Sequence, residues 1–388
     1  MKYSLASSSW DNDEINAIHD VILSDNYSMG ERVLDFEDKF SYFFGSKYAV
    51  MANSGSSANL LMIAALRFVS DNPLQPGDEV IVPAVSWATT YSPLYQYGYH
   101  IKFVDIDINT LNYDLESLED AVSDSTRCII AVNLLGNPNN FNAIKNIIGT
   151  RDILLLEDNC ESMGAKYEGD YTGTFGLMGS FSTFFSHHIS TMEGGVVITD
   201  NEELYHIMLS LRAHGWTRNL PKQNSITQSI DDEFYEQFRF VLPGYNLRPT
   251  EISAAIGIQQ LKKLTNIVDK RIENSNQFLN IISKYPIIPQ KEVGTSSWFG
   301  FSMIIKSDAN IDRKDVLDAF KESGIVARPI VTGNFTRSES LKYYDYSVHG
   351  ELKNADILHE QGLFIGNHHH KLTQEINHLD NVLQALFS

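Results

Sequence analysis

Residues 153–195 read ILLLEDNCESMGAKYEGDYTGTFGLMGSFSTFFSHHISTMEGG, and two short runs within them decide the fold class. Residues 153–157 and 180–185 are brief, mostly apolar or small, and do not alternate with charged residues. Runs of this kind belong to strands covered on both faces, as in a parallel sheet packed between helices. Each run ends abruptly in polar side chains. Asp158, Asn159, Glu161 and Ser162 follow the first, and Ser186, His187 and His188 follow the second. Ligands collect at the carboxyl ends of strands in such sheets, so both exits are candidate functional positions.

Outward from this stretch the pattern repeats. Further strands are expected at residues 48–51, 79–82, 101–105, 128–134 and 196–199, with helices at 57–69, 115–122, 140–148 and 202–211. Strands alternating with helices make a large, mostly parallel α/β domain, expected over residues 1–260. After it come a long polar helix near 259–285, a strand at 299–305, a helix at 313–323 and a strand at 325–329. That order suits a smaller α+β domain over residues 261–388. At the N-terminus Asp11 and Glu14 have capping-box spacing, and Ile15, Ile18 and Ile22 recur on one helical face.

Composition narrows the function classes. The 388 residues are 43% hydrophobic and 20% charged, which is ordinary globular usage. Lys and Arg number 30 against 49 Asp and Glu, a net charge of −19 that disfavours nucleic acid and anionic membrane as partners. No run approaches the roughly 18 apolar residues of a membrane span, and the first residues lack a basic leader with an apolar core, so a cytoplasmic protein is expected. Two cysteines, Cys128 and Cys160, make no disulfide framework and too few thiolates for an iron–sulfur cluster.

The strand exits supply the candidate chemistry. After 48–51 comes Asn53-Ser54-Gly55-Ser56-Ser57, either a plain strand–helix turn or a set of N–H and hydroxyl groups for a phosphate. Asp158 reads either as a helix cap or as a carboxylate pairing with a protonated ring nitrogen. Trp87, just past a strand end, reads either as core or as a surface for stacking on a flat cofactor. Of His187 and His188, adjacent residues that point apart, at most one faces a pocket. The run His368-His369-His370 reads as a surface loop and not a metal site, since no thiolate or spaced acid accompanies it.

Taken in order along the chain, these exits resemble the fold-type I pyridoxal-phosphate enzymes, with the aspartate aminotransferase fold. More narrowly, they resemble the family of aminotransferases and dehydratases that act on nucleotide-linked ketosugars. The likeness rests on Ser54-Gly55-Ser56-Ser57, Trp87, Glu157-Asp158, Glu161, Ser182, Glu193-Gly194-Gly195, Asn246-Leu247-Arg248 and Ala254-Ala255-Ile256-Gly257. It implies that Gly55, Ser56 and Ser182 hold the cofactor phosphate, that Trp87 stacks on the ring, and that Asp158 and Glu161 serve its nitrogen and hydroxyl. It further implies a homodimer whose active site lies at the subunit interface, with Asn246 reaching the partner's phosphate.

One departure matters most. Six residues before the Glu-Gly-Gly the family's aminotransferases carry the lysine that binds the cofactor, and here that position is His187. No lysine occurs between Lys166 and Lys222. The resemblance then implies the 3-dehydratase branch, with pyridoxal 5′-phosphate and its pyridoxamine form as cofactor and His187 as catalytic base. L-Glutamate is the expected amino donor and a GDP-linked ketosugar, GDP-4-keto-6-deoxymannose, the expected substrate. His214, Arg218, Arg248 and Arg328 are candidates for sugar or pyrophosphate contact, each read equally well as a structural residue. The alternatives are a sugar aminotransferase, which the missing lysine opposes, and a non-catalytic cofactor-binding regulator.

Overall fold

The computed structural model describes residues 2–228 and 230–388. Strands β1 (Tyr48–Ala52), β2 (Glu79–Pro83), β3 (His100–Val104), β4 (Thr126–Val132), β5 (Leu154–Asp158), β6 (Met178–Ser182) and β7 (Gly195–Thr199) form the large sheet. Five further strands follow: β8 (Ile287–Ile288), β9 (Gly300–Ile305), β10 (Ala327–Arg328), β11 (Tyr346–Val348) and β12 (Gly362–Gly366). The large sheet has the order β1-β7-β6-β5-β4-β2-β3-β11. Only β7 runs antiparallel to its neighbours; every other pair is parallel. Every residue of β2, β6 and β7 is buried, as two-sided helix cover requires. A second sheet, β8-β9-β12-β10, is antiparallel throughout.

The mostly parallel α/β architecture is the one expected, and the differences have local causes. The run at 180–185 is strand only to Ser182. Thr183 N–H still reaches Gly194 O (2.9 Å), but the chain then makes a loop closed by Phe185 N–H to Met192 O (3.1 Å), and His187 stands in that loop. The long helix starts well before 259 and spans Glu251–Ile282, because Thr250 caps it by accepting from Ser253 N–H. Residues beyond it return to the large sheet as β11, parallel to β3. The run 325–329 contributes only the short strand β10.

The capping box of Asp11 and Glu14 forms, but the apolar face beside it and the histidine run differ from their sequence readings. The face of Ile15, Ile18 and Ile22 does not enter the core: Ile15 and Ile22 are exposed, and the first helix (Asn12–Ser24) buries Glu14, Ala17 and Val21 instead. A buried carboxylate overrides the apolar pattern there, since Glu14 accepts from Lys263 Nζ (2.7 Å) and Gln260 Nε2 (2.8 Å). His368 likewise is buried and not on a surface loop. Its Nδ1 bonds Ser7 Oγ (2.7 Å) and its Nε2 bonds Ser4 O (2.9 Å), which pins the N-terminal segment.

The second helix (Glu31–Phe44) is capped from a distance. Its cap residue, Gly30, has no side chain to offer, and the buried carboxylate of Glu251 takes that role. Oε1 accepts from Gly30 N–H (2.8 Å) and Val33 N–H (3.1 Å), and Oε2 from Arg32 N–H (3.0 Å). Charged acceptors on helix N-terminal donors are among the stronger caps. Glu251→Ala is expected to cost about 2 kcal/mol and Glu251→Gln less, read as shifts in the urea midpoint.

Candidate active site

The carboxyl ends of β5 and β6 open into a cavity of about 490 Å³. Pleating sends the last two residues of β5 to opposite faces. Glu157 turns into the body of the protein, where it accepts from Gly173 N–H (2.6 Å), Phe175 N–H (2.6 Å) and Gly176 N–H (2.8 Å). Burial pushes its carboxyl up to about 7 against those donors. Asp158 turns to the cavity. Its Oδ2 accepts from Asn59 Nδ2 (2.8 Å) and Thr90 Oγ1 (2.7 Å), and its Oδ1 from Cys160 N–H (3.1 Å). Since Thr90 donates to the carboxylate, Ser86 donates to Thr90 (2.7 Å), and the acid is locked by two helices.

The helix Gly55–Ala65 opens on the same cavity. Ser54 caps it by accepting from Ser57 N–H (3.1 Å), leaving the Gly55 and Ser56 N–H groups without partners among the described residues. Ser56, Thr89 and Ser182 add hydroxyls to the cavity wall. Gly55 is required by space, because a Cβ there would lie 2.5 Å from Ser182 Cβ. Free N–H groups at the positive end of a helix, ringed by hydroxyls, suit a phosphate. Trp87, at the start of the next helix (Ala88–Gln96), is 57% exposed and lines the cavity, so it is wall and not core.

His187 lines the cavity as well. Phe299 packs edge-on against its ring (centroids 5.1 Å apart, planes at 67°), and its Nδ1 is buried without a hydrogen-bond partner. Burial, with the positive charge of Arg271, pushes the imidazolium down to about 3, so the ring is a neutral base near pH 7. His188 points away, its Nε2 bonded to Ser297 O (3.0 Å). Glu161 also lines the cavity, held by Leu135 N–H (3.1 Å), and burial raises its carboxyl to about 7.

Of the sequence-derived candidates, Gly55, Ser56, Trp87, Asp158, Glu161 and Ser182 line this one cavity together, as do His187 and Arg328. Asn246, His214, Arg218 and Arg248 do not. Asn246 is exposed and accepts from Arg248 Nε (3.0 Å); Arg218 lies over the Trp216 ring (5.1 Å) beside a separate cavity of about 520 Å³. Asn59, Thr90 and Phe299 were not foreseen. Asn59 stands one helical turn after Gly55 and Thr90 one turn after Trp87, a spacing that marks them as facing the same side. Phe299 immediately precedes β9 of the second sheet, and no local pattern points to it. No group of three His, Cys, Asp or Glu side chains suited to a metal occurs among the described residues.

These features suit a flat, phosphate-bearing ligand, with a fixed carboxylate and a neutral imidazole both on the wall of the pocket. The chain belongs to the DegT/DnrJ/EryC1/StrS aminotransferase family, whose model matches residues 8–387. It is 58% identical over 387 residues to the GDP-4-keto-6-deoxy-D-mannose 3-dehydratase of Escherichia coli O55:H7, covering 99% of this chain and 100% of that one. The Escherichia coli GDP-4-keto-6-deoxy-D-mannose 3-dehydratase with bound hydrated PLP superposes with a TM-score of 0.97, at 58% identity and 99% of each chain. A GDP-4-keto-6-deoxymannose 3-dehydratase with a trapped PLP-glutamate geminal diamine gives the same score and identity, covering 98% of this chain and 100% of that one.

The raised Glu161 carboxyl carries a stability signature. Its folded value lies above the unfolded one of about 4.3, so the group's stabilising contribution is full below that pH and is lost as pH rises towards 7. Glu161→Gln removes the effect. In cofactor-free protein the variant is expected to gain on the wild type as pH rises from 5 to 8, by about 2 kcal/mol at the upper end, measured by urea midpoints at both values.

Proposed function

We propose that this protein removes the carbon-3 hydroxyl of GDP-4-keto-6-deoxymannose, with L-glutamate as donor. The products are GDP-4-keto-3,6-dideoxymannose, 2-oxoglutarate and ammonia. The electrons balance: oxidation of glutamate to 2-oxoglutarate and ammonia supplies the two that replace C–OH by C–H, and the hydroxyl oxygen leaves as water. The observation that carries this reading is His187, an imidazole on the wall of a cavity whose described lining contains no lysine.

The residues present fit pyridoxal phosphate or its amine form. Gly55, Ser56 and Ser182 would hold the phosphate, Trp87 would cover the ring, and Glu161 would face its hydroxyl. The cofactor supplies an electron sink that lets a proton leave the carbon bearing its amine. Asp158, fixed by Asn59 and Thr90, keeps a ring nitrogen protonated by offering a carboxylate that cannot swing away. His187 takes and returns the proton at that carbon in both half-reactions, and its neutral form is ready to accept it. An imidazole forms no lasting covalent bond to the aldehyde, so the branch that would end in a stable aminosugar is not favoured.

The same reading makes the protein a cytoplasmic homodimer with Asn246 directed to the partner's phosphate. Supporting it, Asn246 is exposed and Ile15, Ile22, Leu23, Leu34 and Tyr42 present uncovered apolar surface. Among the described residues no helix is long and apolar enough to cross a membrane.

Purified protein given pyridoxal phosphate, L-glutamate and GDP-4-keto-6-deoxymannose is expected to release one ammonia per sugar and yield a product lacking one hydroxyl. Accumulation of a stable GDP-aminosugar would overturn the proposal. His187→Asn should lose at least about 100-fold in turnover while still binding cofactor. His187→Lys should retain cofactor covalently through gel filtration and lose dehydration.

A further inference from the structure

Arg271, on the long helix, is buried and has no carboxylate partner among the described residues. Its Nη1 donates to Phe299 O (2.9 Å) and Trp298 O (3.4 Å), and its Nε is left without a partner. A buried cation held only by neutral carbonyls is costly, and stability alone does not explain its presence. The backbone it grips is itself constrained: Trp298 is in the left-handed region at φ 47°, and its carbonyl also accepts from Asn367 Nδ2 (2.9 Å). The next residue, Phe299, is the ring against His187, and the residue before, Ser297, accepts from His188.

We infer that Arg271 is the positioning residue for His187: it fixes the Trp298 and Phe299 backbone that clamps the imidazole and sets a permanent positive charge near it. This rests on the reading of His187 as the base. The other charged or titratable groups around His187 are His188 in its own loop, Asp158, Cys160 and Glu161 at the β5 exit, Glu193 where the loop ends, and Arg328 on β10. Burial is the larger influence on the imidazole, and the charge of Arg271 acts in the same sense. The same guanidinium disfavours protonation of His188, His368 and His369. Burial and Arg271 both hold the His187 ring in the form that can accept a proton.

The test is an NMR titration of ¹⁵N-histidine in cofactor-free protein, with His187 assigned by its loss in His187→Asn. Arg271→Lys keeps the charge, whereas Arg271→Gln keeps a donor to the carbonyls and removes the charge. Wild type and Arg271→Lys are expected to hold His187 neutral to below about pH 5, and Arg271→Gln to raise its midpoint by about one pH unit. The acid limb of the glutamate half-reaction should move with it in Arg271→Gln and stay in Arg271→Lys. An unchanged midpoint in folded Arg271→Gln overturns the inference. So does a wild-type midpoint near the ordinary histidine value, or a rise of about one pH unit over wild type in Arg271→Lys; these last two arms decide the matter even if Arg271→Gln does not fold. If the titrations behave as expected but no ammonia is released from the sugar, the proposed dehydration fails and the role of Arg271 stands.

Discussion

At the end of β5 two carboxylates occupy adjacent positions, and the pleat of the strand sends them to opposite faces of the sheet. Glu157 gathers the backbone of Gly173, Phe175 and Gly176 beneath the sheet, while Asp158 is gripped from above by Asn59 and Thr90. Neither can exchange roles with the other, because a slip of one residue would invert both. The parallel neighbours β4 and β6 then place their own ends at the same edge. The cavity wall is therefore assembled from consecutive strand exits with one acid fixed at its centre.

A second constraint joins the acid side to the base side. Leu135 donates its N–H to Glu161 and accepts from Phe299 N–H (3.1 Å), while Gly136 O accepts from Ser297 N–H (2.9 Å). Gly136 has φ 94°, and a Cβ on it would sit 2.6 Å from Trp298 N, so only glycine allows the two backbones to meet. Phe299 carries that contact on to His187. The second sheet thus contributes to the site without presenting a catalytic group of its own.

What could be read from the sequence follows what is local. The short apolar runs marked the strands, and polar residues at their ends marked Gly55, Ser56, Trp87, Asp158, Glu161, Ser182 and His187, all on the cavity. The runs did not show where pairing ends, so β6 was extended three residues into the loop that carries His187. Apolar spacing failed in the first helix because ion pairing of Glu14 with Lys263, 249 positions away, chose the buried face. His368 was misplaced for a similar reason, its partners being Ser4 and Ser7 at the other end of the chain. Arg271 and Phe299 were out of reach altogether, since only the packing of the long helix and the second sheet brings them to the base.

The long helix has a mechanical consequence. At 1.5 Å per residue its 32 residues span about 48 Å without a break. Its first residue, Glu251, caps the second helix against the large sheet; Arg271 lies two-thirds along; and Asn274 ties its later turns to His370 O (2.8 Å) in the smaller unit. The two sheets are consequently mounted on one rod with no joint at the crossing. A displacement of one against the other must therefore either bend that rod or break its contacts with one of them.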